Sequence, residues 1–349
     1  MPKCLLMLFL CLPLAGCYYL QAASGQWEVM RKREPIDEVI SRPDTSPELA
    51  ARLALISAAR DFSVDVLGLP DNKSYRTYAD LKRDYVVWNV FAAPEFSLQA
   101  KQWCFPVAGC VSYRGYFAKK NALRLSEQLI DDGYDVAVGG VAAYSTLGNF
   151  SDPVLNTMMH WDDIDLVALL FHELAHQVVY VKGDTAFNES FATAVEEIGV
   201  QSWLESRDQE DEMATYLAGR ELQQSLLAII TRARADLGKI FESDSSVADM
   251  RAQKKQRLAD LSDELAVELQ RYGKGAAGWF SGELNNAKLL STVLYEGWLP
   301  SFRALYARCE QQLECLYAEA EELAKLQPSE REAALSAGDL RRYGRSLDQ

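Results

Sequence analysis

The sequence predicts an α+β fold, and three observations carry that reading. Stretches rich in β-branched and aromatic residues, punctuated by Gly and Pro, gather in the first half of the chain. Helical periodicity takes over from about Trp161. The 349 residues, 49% hydrophobic, suffice to bury one or two cores. Strands in one half and helices in the other give α+β rather than an alternating α/β order. No internal repeat is present.

Residues 1 to 17, "MPKCLLMLFLCLPLAGC", place Lys3 before an apolar run from Leu5 to Leu14 and small residues before Cys17. That is the layout of a cleaved export signal, and the run is shorter than the ~20 residues of a membrane span. The expected organisation is a signal over 1–16, an α+β part over 17–160, a helical part over 161–327 and a fraying polar tail over 328–349. The formal charge of -14, with 50 acidic against 36 basic residues, argues against a nucleic-acid partner, which needs clustered Lys and Arg.

Within the first part, "DTSPELAARLALISAARDF" begins a helix. Thr45 and Glu48 stand at capping-box spacing and Pro47 suits the first turn. "YVVWNVFAAP" (85–94), "VSYRGYF" (111–117) and "YDVAVGGVAAYS" (134–145) read as strands. "KKNALRLSEQLIDDG" reads as a helix, with Leu123, Leu125 and Leu129 apolar and Gly133 as its stop. Arg114 in "YRGYF" reads as packing rather than as a carboxylate binder. In the second part, Leu222, Leu226, Ile229, Ala233 and Leu237 form one helical stripe, and Leu258, Leu261, Leu265, Leu269 and Tyr272 another. Two long helices joined at 243–247 follow, their charges forming a solvated face.

Outside the leader and Cys17, four cysteines remain, an even number that suggests two disulfides in an exported chain. Cys104 with Cys110 is the expected pair, because Pro106 and Gly109 make "CFPVAGC" a tight loop. "CEQQLEC" looks helical, and six helical residues rise ~9 Å, beyond the ~7 Å that a disulfide spans. Either the helix breaks between Cys309 and Cys315, or the pairing differs, or both stay reduced.

The chemistry concentrates in "WDDIDLVALLFHELAHQVVYVKG". Asp162 or Asp163 caps a helix with apolar residues at Ile164, Val167, Leu170, Phe171, Leu174 and Val178, and Gly183 stops it. His172 and His176, one turn apart on one face, can reach a single ion. Glu173 projects beside it, placed to take a proton from water. A catalytic zinc wants three protein ligands and an open position. His160, before the helix and without a motif, reads as an ordinary histidine. The next helix, "DTAFNESFATAVEEIGVQSW", folds back after a short turn at Gly183 and carries Glu189 about one turn in, where it can face the pair.

Several of these segments resemble known families. "LAGC" resembles the bacterial lipobox, which implies a lipid-modified Cys17 as mature N-terminus. Tyr18, not being Asp, then implies transfer to the outer membrane. "HELAH" followed by "NESFATAVEE" resembles the gluzincin metallopeptidases. That match implies a zincin-like core and one Zn2+ held by His172, His176 and Glu189. It also implies that Glu196 supports a ligand imidazole and that Asn188 orients the site. The interval between His176 and Glu189 is twelve residues where that family's aminopeptidase branch has eighteen, so Glu196 and Glu197 stay open as alternative third ligands. The resemblance further implies an oxyanion donor beyond the third ligand, for which Tyr295 is the candidate. It also implies a substrate-lining strand at "GGVAAYSTLG", with Gly140, Ala142 and Tyr144 toward the peptide, where the glycines alone read equally as a bulged core strand. Asn285 and Asn286 bind substrate backbone or cap a helix. Asp152 and Glu283 are candidates to hold a substrate amine.

"WNVFAAPEFSL", "WCFPVAGCVSYRGYF", "AYSTLGNFSDP" and "LNNAKLLSTVLYEGWLPSF", with the helix pair, are similar to the exported bacterial putative aminopeptidase family. The activity this implies is zinc-dependent hydrolysis of peptide bonds, as an aminopeptidase on a lipid anchor. The alternatives are an endopeptidase dedicated to an envelope protein and a catalytically silent lipoprotein that binds an envelope partner.

Overall fold

Among the described residues, the strand-rich half forms two three-stranded sheets and a two-stranded hairpin rather than one sheet. In a computed structural model, the described residues are 12–105, 109–143, 145–147, 150–275, 282–293 and 297–337. Helix α1 (Leu12–Arg31) leads to strand β1 (Arg33–Pro35), the short helix α2 (Ile36–Ile40) and helix α3 (Pro47–Asp65). β1 pairs antiparallel with β2 (Thr77–Ala79), which pairs parallel with β8 (Val154–Leu155). The second sheet is antiparallel, in the order β6 (Arg114–Tyr116), β3 (Val87–Pro94), β7 (Tyr134–Val141). Its long pair runs from Val87 opposite Val141 to Pro94 opposite Tyr134.

The predicted strand over 111–117 is two short ones. Gly109–Val111 (β5) closes a hairpin with Trp103–Phe105 (β4) before β6 begins, and Cys104 bridges to Cys110 within that hairpin. Successive side chains of the second sheet take opposite faces. Val90 and Ala92 of β3 pack with Ala122 and Leu129 of helix α4 (Lys119–Asp131), while Phe91 and Ala137 pack with Ala287 of helix α9 (Asn286–Val293). Both faces are covered, which is why β3 reads as a continuous apolar run. Leu123, expected on the buried stripe of α4, is 42% exposed, and Ala122 takes its place. Arg114 packs as expected, its guanidinium 4.2 Å over the Tyr18 ring.

The caps differ by one position from expectation. Ser46, not Thr45, accepts from the Leu49 amide at the start of α3, and the Thr45 hydroxyl turns back to the Val39 carbonyl.

The main core joins the first sheet and α3 to helices α5 (Asp163–Ala175) and α6 (Thr185–Glu205), and to α10 (Leu299–Arg308) and α11 (Leu313–Lys325). Phe171, Phe187, Phe191 and Phe302 are fully buried there. Helices α7 (Glu210–Phe241) and α8 (Val247–Arg271) form the predicted hairpin, with both stripes meeting in a second core. The helix breaks at Cys309. Glu310 and Gln311 take left-handed backbone angles of 52° and 60°, and the Cα atoms of Cys309 and Cys315 come to 5.6 Å, within disulfide reach.

The segment after Gln327 does not fray at its start. It forms helix α12 (Pro328–Ala337), whose Ala334 and Leu335 enter the main core and whose buried Arg331 pairs with Asp184. No helix among the described residues is long and apolar enough to cross a membrane.

Candidate metal centre

Helix α5 ends earlier than its apolar pattern suggests. It stops at Ala175, with His176 as its C-cap, and a turn from Gln177 to Gly183 follows instead of another helical turn. Gly183 supplies the left-handed angle of 84° that ends this turn, where a side chain would be strained. Asp184 then caps α6 by accepting from the Phe187 amide. Because α5 stops at His176, the twelve-residue interval is long enough to return Glu189 to the same point.

His172, His176 and Glu189 each aim one donor atom at a common centre, all within 4.8 Å of one another. His172 Nε2 lies 3.2 Å from Glu189 Oε2, and His176 Nε2 lies 3.7 Å from Glu189 Oε1, beyond hydrogen-bond distance. Glu196 stands behind the site, its Oε2 3.0 Å from His172 Nδ1. The Tyr216 hydroxyl, from α7, donates to Glu196 Oε1 at 3.3 Å. Glu197 points elsewhere and pairs with Arg220 at 2.8 Å and Arg303 at 2.7 Å. Of the three open glutamates, Glu189 alone faces both imidazoles.

The electrostatics suit a cation. Burial and the neighbouring His172 hold the His176 imidazole down to about 4 against the pull of Glu189, so it is neutral, the form that binds metal. Burial opposes protonation of His172, yet its hydrogen bonds to Glu189 and Glu196 raise it to about 10. Glu189, Glu196 and Glu173 all favour positive charge at this position. Burial pushes the Glu173 carboxyl up to about 7, with Glu189 and Asp152 adding and His172 opposing. Two neutralisable imidazole nitrogens and a carboxylate oxygen are a fitting donor set for zinc.

The other expected residues fall in different places. Asn188, 2% exposed, directs its side-chain hydrogen bonds away from the three candidate donors. Its amide donates to the Val181 carbonyl at 2.8 Å and accepts from the Val181 amide at 2.7 Å, so it fixes the turn between the two donor helices. Asn286, expected to meet substrate, is fully buried, and its amide holds the carbonyls of Pro94, Glu95 and Ser97. Asn285 caps α9 through the Lys288 amide and binds the Val136 carbonyl.

The space a side chain would take at Gly140 is filled by the Tyr85 ring at 2.4 Å, so this glycine accommodates an aromatic ring rather than an approaching peptide. Ala142 is buried and its carbonyl accepts from Thr157. β7 still forms an edge, pairing with β3 and with no other strand among the described residues. Tyr144 and Tyr295 lie outside the described residues, as does the Cys17 side chain. His160 is exposed against Trp161. The Asp152 carboxylate is 4% exposed and accepts from the Thr146 amide and hydroxyl, both at 2.8 Å, and Glu283 lies exposed on the surface.

Tyr216 had no sequence signal, since it sits in a long amphipathic helix without a local motif. The other missed contact, Arg331 on Asp184, spans 147 positions and reaches the cap of the helix that carries Glu189.

A family model described as "Putative aminopeptidase" matches residues 17–335. No curated protein and no solved structure matches the chain.

Proposed function

We propose, given that the chain belongs to this putative aminopeptidase family, that it is a zinc-dependent peptidase with a zincin-like core, in which His172, His176 and Glu189 hold one Zn2+. The observation that carries this reading is the convergence of two imidazoles and a carboxylate from two helices, with Glu173 next in sequence to one donor. Bound by these three residues, zinc would supply Lewis acidity toward a carbonyl oxygen and a water molecule. Glu173 accepts a proton from the attacking water at a carboxylate oxygen. It returns that proton to the amine nitrogen as the C–N bond breaks. Glu196 accepts from His172 Nδ1 and so directs Nε2 at the centre, and Tyr216 restrains Glu196 in turn.

The reading includes a lipid anchor at Cys17 and a place at the outer membrane of the bacterial envelope, supported by "LAGC" and the residue after it. Cys17→Ala should move the protein from the membrane to the soluble fraction, and unchanged fractionation counts against the anchor.

The test of the enzyme compares wild type with Glu173→Gln, measuring bound metal and hydrolysis of aminoacyl anilides and internally quenched peptides. The expected result is one zinc per chain in both proteins and a rate reduced about 10²- to 10⁴-fold in the variant. Metal-free wild type, or a rate indifferent to Glu173, overturns the reading. One observation favours an endopeptidase as a second reading: the Asp152 carboxylate is already bound by Thr146 and Glu283 lies on the surface, so neither is placed to hold a free amine. Cleavage of quenched peptides with blocked N-termini would select it.

A further inference from the structure

Helix α1 is held to the body by one face. The space a side chain would take at Gly25 is filled by the Phe117 ring, and Val29 is buried in the main core. The Gln21 side chain accepts from the Phe117 amide at 3.2 Å, beside β6. On a helix docked this way, the opposite face should be polar if it met only water. Its large residues are apolar instead. Leu20, Ser24, Trp27 and Arg31 recur at intervals of four, three and four, which puts them on one stripe, and all are exposed. Leu20 is 71% and Trp27 66% exposed, with Tyr19 beside them at 45%. Single exposed apolar residues need no explanation, but three gathered on one fixed helix mark a contact surface.

The chain carries a formal charge of -14, yet the border of this stripe is basic. Arg31 ends it. Trp27 and Arg31 share a surface cavity of about 610 Å³ with Ala118 and Asn121 at the start of α4, where Lys119 and Lys120 are exposed. Glu28 is the single acidic residue of α1, and it is paired with Lys32 at 3.2 Å and Arg83 at 2.8 Å. An exposed surface of Leu, Trp and Tyr with a Lys and Arg border matches the boundary of a bilayer, where aromatic rings sit at headgroup level and cations meet lipid phosphates.

We infer that α1 lies flat on an anionic lipid surface, with Leu20 and Trp27 at the headgroup boundary and Arg31, Lys119 and Lys120 against lipid phosphates. The inference rests on the reading of Cys17 as the lipid attachment point. Cys17 lies on α1, and helix rise places Leu20 about 4.5 Å and Trp27 about 15 Å from it along the axis. Acyl chains entering the bilayer at Cys17 bring the stripe to the membrane and leave the tilt of the helix free. The stripe removes that freedom. Because Gln21 and Gly25 fix α1 against Phe117 and its neighbours, the body then takes one orientation on the membrane. A second copy of the chain fits this face less well, since a symmetric contact would set its basic border against the same charges.

The test reads the stripe with and without acyl chains. In the first arm, the acylated chain is reconstituted into vesicles of phosphatidylethanolamine and phosphatidylglycerol with brominated acyl chains, which quench tryptophan emission at short range. Wild type should lose emission relative to unbrominated vesicles, and Trp27→Phe should lack that quenched component. Quenching that is absent, or undiminished in Trp27→Phe, overturns the inference while the anchor stands.

In the second arm, unacylated Cys17→Ala is floated with the unbrominated vesicles at low ionic strength and excess lipid. It should bind reversibly, so that release at ordinary salt in a cell fractionation is still expected. Adding Leu20→Gln and Trp27→Gln should weaken partitioning at least about tenfold, and Arg31→Glu should weaken it and flatten its salt dependence. Equal flotation with and without these substitutions overturns the inference. If mass analysis finds Cys17 unmodified while vesicle binding still depends on Leu20 and Trp27, the anchor reading fails and the lipid-binding face stands. A dimer that the same substitutions split, with no affinity for vesicles, assigns the face to a second copy and overturns the inference.

Discussion

Glu196 touches one of the three candidate metal donors without being one, and its position makes a prediction separable from catalysis. It accepts from His172 Nδ1 and is itself held by Tyr216. Removing such a partner typically costs 10- to 100-fold in metal affinity. Glu196→Ala should therefore weaken zinc binding by about that factor in a chelator competition, and unchanged affinity would show that the His172 ring is held in place by packing alone. Tyr216→Phe should have a smaller effect in the same direction. At this scale the histidine pair was legible in the sequence, because spacing along one helix is a local property. Glu189 was legible only as one of three glutamates, since choosing among them depends on which way α6 turns. Tyr216 was not legible at all, because its contact with Glu196 exists only once α7 packs on α6.

The donor helices are joined by a turn that one side chain organises. Asn188 makes two hydrogen bonds to the Val181 backbone while nearly fully buried, and truncation leaves both backbone groups without these partners. Asn188→Ala should lower unfolding free energy by about 1–3 kcal/mol and reduce zinc occupancy, read by denaturant titration and metal analysis. Stability lost with zinc affinity intact would mean that the turn does not set the donor geometry. Element types were mostly recoverable from periodicity, as the α7–α8 hairpin shows, with both predicted stripes buried. Boundaries were not. The end of α5 at Ala175 cannot be read from Val178, which continues the apolar pattern but belongs to the turn. The break at Cys309 was visible as a conflict between helix rise and disulfide reach, and the left-handed Glu310 and Gln311 resolve it.

Across the whole molecule, a metal that binds only the folded chain stabilises it by mass action, about 2.7 kcal/mol at a hundredfold excess over Kd. Thermal unfolding should shift upward with zinc and downward with EDTA, and a midpoint indifferent to both would exclude a resident ion. The C-terminal helix takes part in the same unit. Arg331 is 3% exposed and paired with Asp184, the cap of α6. Arg331→Ala takes the buried guanidinium from a carboxylate that is partly exposed and should cost about 1–3 kcal/mol in unfolding free energy, measured by urea titration. An unchanged midpoint would show the tail to be dispensable. This tie was invisible in the sequence because the helix is short and largely polar, and its few buried residues acquire a role only from the core they enter.

Val29 and Leu335 lie in that one core. A chain delivered N-terminus first therefore holds early core residues exposed until residues near 335 arrive. The helix pair bearing His172 to Glu196 closes only a short loop and can form first, while completion of the core waits for contacts of high sequence separation. The partly built chain is then a natural client for holding factors, and its slowest folding step should follow synthesis rather than accompany it.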